Sequence, residues 1–306
     1  MLTRAVESYL TMRRTLGFQL STEGSFLHSF ARFAKARGEQ LVCAKTVIDW
    51  AGLGSSPPQR ARRLGLVIRL AHHLHAEDQR HEIPPEGTFG SQTRPRPVPY
   101  VFTPQQIPQM IAVASRLGTA DPLLPNAYST LFGLLACTGL RISEALKLRC
   151  QDITVDGLVV RESKFRKTRL VPLHATAEAK LGRYLVLRRH MAPAADDHLF
   201  VSQKGQPLRY SSVAWIFQKT LKAIGLDSPP AGRRPTLHSL RHTFAVRSLE
   251  ACPDGRDRIT RHTVALSHYL GHYNVAATYW YLEATPNLMN DIAEACNKNF
   301  IEGGIQ

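Results

Sequence analysis

A proline-rich stretch before residue 100 is the feature that most constrains how this chain can fold. Residues Ile83–Val98 read IPPEGTFGSQTRPRPV, with four prolines, two glycines and no apolar period. Proline lacks an amide hydrogen and fixes its own backbone angle, so neither a helix nor an inner strand runs through such a stretch. We therefore predict an extended linker over residues 83–98, between a first domain (1–82) and a second domain (99–306).

The first domain shows only helical periodicity. Apolar side chains recur at helical spacing near the N-terminus and in three further segments, Thr22–Ala36, Ala44–Ala51 and Gln59–Ala76. No stretch alternates polar and apolar residues in the way that a half-buried strand does. We predict a small helical bundle.

The period changes within the second domain. Helical patterns begin near Thr103 and continue over Asn126–Cys137, Arg141–Leu148 and Ala175–Arg189. Between them, GLVVRE (157–162) and RLVPL (169–173) are rich in β-branched residues and are joined by polar SKFRKT, which predicts a hairpin. A short strand is also expected near Leu199–Ser202. The predicted fold class is therefore mainly α with a small antiparallel β-sheet.

The end of the chain carries one more helical pattern. Beyond Pro286 an apolar stripe recurs at helical spacing, formed by Leu288, Met289, Ile292, Cys296 and Phe300. This stripe predicts a tail helix that packs either on its own domain or on a neighbouring subunit.

A large positive charge points to a polyanionic partner. The chain has 39 Lys and Arg against 24 Asp and Glu, a net charge of +15. Both parts are basic, with 14 basic and 8 acidic side chains in residues 1–97 and 25 against 16 beyond them. Ordinary solubility explains a high isoelectric point equally well, but two basic halves favour a nucleic acid that both parts contact.

The last helix of the first domain concentrates this charge. Its first turns carry Arg60, Arg62 and Arg63, and Arg69 follows further along. Such residues often form a solvated face. Because cations at a helix N-terminus oppose the helix dipole, we favour contact with DNA phosphates instead.

Several classes of protein are disfavoured by what the sequence lacks. No apolar run approaches the roughly 20 residues of a membrane helix, so no membrane partner is expected. Five scattered cysteines form no C-x-x-C pair, and no H-E-x-x-H or carboxylate cluster occurs. We expect no metal, no cofactor and a cytoplasmic location, associated with the nucleoid through DNA.

Four motifs in the second domain carry side chains suited to phosphate chemistry. The first motif supplies Arg141, which follows a Thr-Gly break, and the second supplies Lys164 in the hairpin turn, beside Arg166 and Lys167. The third is LHSLRHTF, with His238 and Arg241. The fourth is LGHYNVAATYWY, with His272 and Tyr281. Alone, each has an ordinary structural explanation as a surface cation, a surface pair or a core aromatic residue. Yet an imidazole and a guanidinium at i and i+3 share a helix face, and arginine matches phosphate oxygens in a bidentate manner. The two cations beside Lys164 predict local DNA contact.

Taken together, these motifs resemble the tyrosine recombinase (phage integrase) family. The order is that of the family: Arg, a hairpin Lys, H-x-x-R, then L-G-H followed nine residues later by Tyr. The segments TGLRISE and RLVPL are similar as well. The resemblance covers the whole second domain, and the helical first domain is similar to the family's DNA-binding core-binding domain.

The resemblance implies a site-specific DNA recombinase that uses neither metal nor ATP and needs no cofactor. It implies that Tyr281 attacks phosphorus and leaves a 3′-phosphotyrosine, while Arg141 and Arg241 bind the non-bridging oxygens. Lys164 would protonate the leaving 5′ oxygen. His238 would accept a proton or bind the phosphate, and His272 would donate a hydrogen bond to the phosphate. The partner would be a double-stranded DNA recombination site, on which four subunits assemble across paired sites, with or without other recombinases.

Two features depart from the family's pattern. The spacing from Arg241 to His272 is long, with ACPDGRDRITRH as the expected insertion, and Tyr279 offers a second phenol two residues before Tyr281. Two helical positions differ in direction by about 200°, so both phenols cannot face one phosphate. The spacing after the L-G-H motif selects Tyr281.

Three other functions are alternatives to a recombinase. A type IB topoisomerase-like enzyme would use the same chemistry and reseal the same strand, whereas a non-catalytic DNA-binding regulator would keep the fold alone. The compact first domain and short tail favour a recombinase over the former, and the full set of polar residues argues against the latter. A metal nuclease is disfavoured, because the sequence has no clustered carboxylates.

Overall fold

Four helices build the first part of the chain in the computed structural model, as its periodicity predicts. They are α1 (Leu2–Thr15), α2 (Ser21–Ala36), α3 (Ala44–Gly52) and α4 (Pro57–Glu77). Pro57 lies in the first turn of α4, where no helical hydrogen bond is lost. The bundle closes around large buried side chains that include Leu10, Phe30, Trp50 and Leu70.

The structure describes residues 2–90, 98–117, 122–161, 168–193, 196–227, 234–252, 256–272 and 274–282. Backbone contacts divide the chain into two compact units, Met1–Arg96 and Pro97–Gln306. The predicted tail helix and the turn that joins the predicted hairpin strands lie outside the described residues. No helix in the described part of the chain combines the length and apolar character that crossing a membrane requires.

Helices dominate the described part of the second unit. They are α5 (Gln106–Ala114), α6 (Leu123–Thr138), α7 (Ile142–Ala145), α8 (Ala175–Met191), α9 (Tyr210–Ala223), α10 (Leu237–Glu250), α11 (Arg256–Leu270) and α12 (Ala276–Leu282). The helix expected from Thr103 begins at Gln106, because the Thr103 hydroxyl and the Gln106 side chain cap each other's amides. The helix expected over Arg141–Leu148 is a single turn.

A small antiparallel sheet follows α7, in the order β1 (Ile153–Thr154), β2 (Gly157–Val160) and β3 (Arg169–Val171). Leu158 pairs with Val171, and Val160 pairs with Arg169. The hairpin and the fold class are thus confirmed, while β1 was not predicted. Gly157 is required where the strands meet, because a Cβ there would lie 2.4 Å from the Val171 carbonyl oxygen.

The strand predicted near Leu199–Ser202 was wrong. This segment forms only isolated bridges, between Arg149 and His198 and between Val201 and Pro207. Its apolar residues are buried in the core instead, with Leu199 and Phe200 almost fully covered. A short apolar run therefore marked burial rather than a ladder of strand hydrogen bonds.

The described part of the second unit has two apolar clusters. The larger surrounds α6, where Phe132 packs edge-on against Phe217 of α9. The smaller joins α10, α11 and α12 through Val246, Leu270 and Tyr281. This smaller cluster fixes the ends of the helices that carry the sequence-predicted site residues.

Candidate active site

A glycine corner places Arg141. Gly139 ends α6 in the left-handed conformation (φ 61°), and a Cβ there would lie 2.5 Å from the Phe244 ring. The chain then turns, and Arg141 precedes α7. Its guanidinium donates to Glu144 Oε1 (2.8 Å) and to the Gly271 carbonyl (3.2 Å). Arg141 therefore points inward and contacts a turn that lies 130 residues further along the chain.

Arg241 reaches the same turn from α10. Its side chain is 2% exposed and donates to the carbonyl oxygens of Gly139 (2.7 Å) and Leu270 (2.8 Å). Burial, together with the nearby charge of Arg141, lowers the pKa of Arg241 to about 10. The guanidinium nevertheless stays protonated at neutral pH, so the site holds two permanent positive charges.

His238 lies one turn before Arg241 on α10 and is exposed. Desolvation and the charges of Arg241 and Arg141 lower the pKa of His238 to about 4. A neutral imidazole beside two arginines can accept a proton or a hydrogen bond.

His272 follows the turn that ends α11. Gly271 is left-handed there (φ 66°), and His272 Nδ1 lies 2.7 Å from the Thr278 hydroxyl of α12. Burial first, and then the charges of Arg241 and Arg141, lower the pKa of His272 to about 3. This histidine is therefore also neutral, and its bond to Thr278 joins the turn to α12.

Tyr281 lies on the inner face of α12. Its side chain is 2% exposed, and its ring stacks at 6.2 Å between centroids on His272. Its hydroxyl is 3.1 Å from Nδ1 of His242. Tyr279, by contrast, is 48% exposed, so the two phenols point in different directions. The structure thus brings Tyr281 together with four of the other predicted residues, Arg141, His238, Arg241 and His272.

Three predicted cations cannot be placed in this way. Lys164, Arg166 and Lys167 fall within residues 162–167, outside the described part of the chain. Their roles in catalysis and DNA contact stay predictions.

Glu144 and Arg169 also belong to the site, although the sequence analysis did not select them. Arg169 of β3 forms a bidentate pair with Glu144 (2.8 and 3.2 Å) and donates to the Tyr269 carbonyl (2.8 Å). Burial raises the pKa of Glu144, but hydrogen bonds and charges from Arg169 and Arg141 outweigh it, so the net shift is downward. One carboxylate therefore orients two arginines. The signal was available in TGLRISE, where Glu144 follows Arg141 by three residues.

The arginines of α4 have local partners. Arg60 donates to the Gly54 carbonyl (2.8 Å), and Arg63 donates to the Trp50 carbonyl (3.2 Å) while stacking over the Trp50 ring. Arg62 pairs with Glu23 at 3.0 Å, and Arg69 is exposed. Arg60 and Arg63 thus have structural reasons to occupy a helix start. DNA contact by these four residues stays a prediction.

No group of three or more His, Cys, Asp or Glu side chains in the described residues is arranged to hold a metal ion. What the site offers is three guanidiniums, one carboxylate that pairs with two of them, two neutral imidazoles and one phenol. Such a set can bind an anion with two negatively charged oxygens and present a nucleophile to it.

Two proteins of known family align with most of this chain. Residues 100–287 match the phage integrase family. The integrase/recombinase y4rB of Sinorhizobium fredii is 36% identical over 297 residues, which cover 94% of this chain and 94% of that protein. The tyrosine recombinase XerD of Listeria innocua is 26% identical over 299 residues, covering 93% and 86%.

Solved structures share the fold. The XerH site-specific recombinase bound to a palindromic difH substrate superposes with a TM-score of 0.69 at 18% identity, covering 95% of this chain and 84% of that one. A lambda integrase tetramer bound to a Holliday junction gives 0.65 at 16% identity, covering 92% and 76%. With more than half of the residues matching the family and a relative aligned nearly end to end, the chain belongs to the phage integrase family and is a site-specific tyrosine recombinase.

Proposed function

We propose that this enzyme cuts and rejoins DNA through a 3′-phosphotyrosine formed by Tyr281, without metal or ATP. The observation that carries the proposal is the convergence of a buried phenol with two guanidiniums tied to one turn of backbone. A phosphodiester resists attack because its charge repels nucleophiles and because its alkoxide is a poor leaving group. The residues around the Leu270–His272 turn address the first difficulty.

The two arginines would stabilise the transition state. Arg141 and Arg241 are both fixed by backbone carbonyls of the same turn, and Glu144 further fixes Arg141. Fixed donors need no reorganisation as charge gathers on the non-bridging oxygens, which is the usual source of electrostatic catalysis. His238 and His272, both neutral, would add hydrogen bonds to the same phosphate.

The covalent step would proceed by direct displacement. The Tyr281 oxygen forms a bond to phosphorus, the bond from phosphorus to the 5′ oxygen breaks, and Lys164 gives that oxygen a proton. Because the phosphotyrosine ester keeps the bond energy, attack by a 5′ hydroxyl of another strand completes exchange without ATP.

DNA binding and assembly would follow the family. We infer that both basic units contact a double-stranded recombination site, with Arg60, Arg62, Arg63 and Arg69 on one and Arg166 and Lys167 on the other. XerH was crystallised with difH DNA, and lambda integrase as a tetramer on a Holliday junction. We propose the same arrangement here, with four subunits on paired sites and the tail from residue 286 acting between neighbours.

A suicide substrate tests the proposal. DNA carrying the recombination site with a nick beside the scissile phosphate should trap a covalent protein–DNA adduct in excess EDTA. Paired sites should also yield recombinant strands. Loss of the adduct in EDTA with recovery in magnesium would contradict the metal-free mechanism. Relaxation of supercoils without any strand exchange would point to a topoisomerase instead.

A further inference from the structure

We propose that His242 is a catalytic residue, the group that accepts the proton of Tyr281 as the nucleophile attacks. This inference rests on the proposed function and gives the role of proton acceptor, one of the two that the family resemblance implies for His238, to His242 instead. The motif H-x-x-R selects His238 and Arg241, and His242 is simply the next residue along α10.

The geometry places His242 at the reacting atom. Its Nδ1 lies 3.1 Å from the Tyr281 hydroxyl oxygen, within the reach that proton transfer requires. The ring is half-buried and packs edge-on against Trp280, with centroids 5.1 Å apart. His242 therefore contacts both Trp280 and Tyr281 of α12.

The groups around His242 include two further imidazoles and an arginine. His238 lies on the same helix with its ring centroid 4.4 Å away, and Arg241 lies beside His242 in the chain. On the facing side are Tyr281 and, beyond it, His272. Proton acceptance requires the tautomer with its hydrogen on Nε2, in which Nδ1 presents its lone pair to the phenol.

The proton balance is complete without another reagent. As the oxygen–phosphorus bond forms, the O–H bond of Tyr281 breaks and its proton passes to Nδ1 of His242. The bond to the 5′ oxygen breaks, and that oxygen takes a proton from the general acid. In rejoining, the attacking 5′ hydroxyl returns its proton to that acid, and the His242 imidazolium reprotonates the departing phenolate.

Two variants separate proton acceptance from positioning. His242→Asn keeps a hydrogen-bond acceptor where Nδ1 stood but cannot take a proton, whereas His242→Phe removes both functions and keeps the ring volume. Both should slow single-turnover cleavage about 100-fold or more, the usual contribution of a general base. Cleavage by His242→Asn at the unmutated rate would show that the residue only positions Tyr281.

Chemical rescue of cleavage is the decisive test of proton acceptance by His242. Fluorotyrosine incorporated at position 281 ionises more readily, so it should restore much of the cleavage lost in both His242 variants while changing the unmutated enzyme little. Absence of rescue, with DNA affinity and melting temperature retained, would overturn the proposal. His262→Phe, which removes a helix histidine bonded to the Ser248 carbonyl, is the matched control and should show no dependence on fluorotyrosine.

The proposed function and the role of His242 can be tested separately. If the unmutated protein forms no adduct on its own site, the proposed function fails. If the adduct forms but His242→Phe cleaves as fast as the unmutated enzyme, only the role of His242 is lost.

Discussion

Two regions meet at Tyr281 and are held in place by different means. The arginine corner (Gly139–Glu144, with Arg169 and Arg241) is tied to the Leu270–Gly271 turn by guanidinium–carbonyl bonds that span 29 to 130 residues of sequence. Helix α12, which carries the proposed nucleophile Tyr281, has seven residues and is joined to the same site by side-chain hydrogen bonds at Thr278 and Tyr281. The arginines of the corner are thus held by backbone carbonyl groups, while α12 is held by the hydroxyl groups of Thr278 and Tyr281.

This difference predicts which changes are tolerated. Removing a hydroxyl from α12 should leave phosphate binding intact and change only the chemistry. Removing a charge from the corner should slow catalysis, and at the buried Glu144 it should also lower the stability of the fold.

The largest effect is expected from Tyr281→Phe. Only the nucleophile is lost, so cleavage should fall below detection while DNA affinity is unchanged, because the arginines and basic surface remain. Single-turnover cleavage and gel-shift titration measure the two quantities. Tyr279→Phe, an exposed phenol on the same helix, is the control and should cleave normally; the reverse pattern would exchange the two assignments.

Arg141→Ala should come next. Losing one preorganised donor costs about 100- to 1,000-fold in rate, which corresponds to about 3 kcal/mol or more. The control is Arg161→Ala, which removes a more exposed arginine paired with Asp152 and should have little effect. Equal losses in both variants would mean that general basicity, rather than a clamp, assists cleavage.

Glu144→Gln tests the corner through stability. Breaking a buried ion pair with two arginines should lower the free energy of unfolding by about 3 kcal/mol near neutral pH. Because the folded-state pKa of Glu144 lies below its ordinary value of 4.5, its contribution is present above that value and is lost as pH falls through the folded pKa. The difference between variant and unmutated protein should therefore narrow in acid. A pH-independent difference would assign the loss to packing.

The smallest effects are expected on α4, where arginines can be sorted by their partners. Arg69→Ala, at an exposed position, should reduce the salt dependence of DNA binding by about one phosphate contact without changing stability. Arg63→Ala should lower the melting temperature, because its guanidinium stacks on Trp50 and bonds the Trp50 carbonyl. Equal salt effects with no loss of stability in either variant would restore a simple DNA-facing interpretation.

Sequence pattern predicted the helices and the hairpin because each depends on local periodicity. It failed at Leu199–Ser202, where a buried apolar run forms only isolated bridges, and at β1, which is two residues long. Motif order also selected Tyr281 over Tyr279, a choice with which the burial of the two side chains is consistent.

The partners within the site could not be read in the same way. The Arg169–Glu144 pair joins residues 25 apart, and the His242–Tyr281 bond joins residues 39 apart. No period or spacing rule connects such residues, since only the tertiary fold brings them together. At the start of α4, Arg60 and Arg63 have local hydrogen-bond partners that the sequence does not display, and their contact with DNA stays a prediction.

The most direct test of the account is to identify the residue that carries the DNA. The nicked recombination site should be incubated with the unmutated protein in EDTA, the adduct digested with protease and nuclease, and the nucleotide-bearing peptide sequenced by mass spectrometry. We predict a 3′-phosphodiester on Tyr281 and none on Tyr279. A nucleotide on Tyr279, on a serine or on a histidine would contradict the central claim that the phenol beside the arginine corner is the nucleophile.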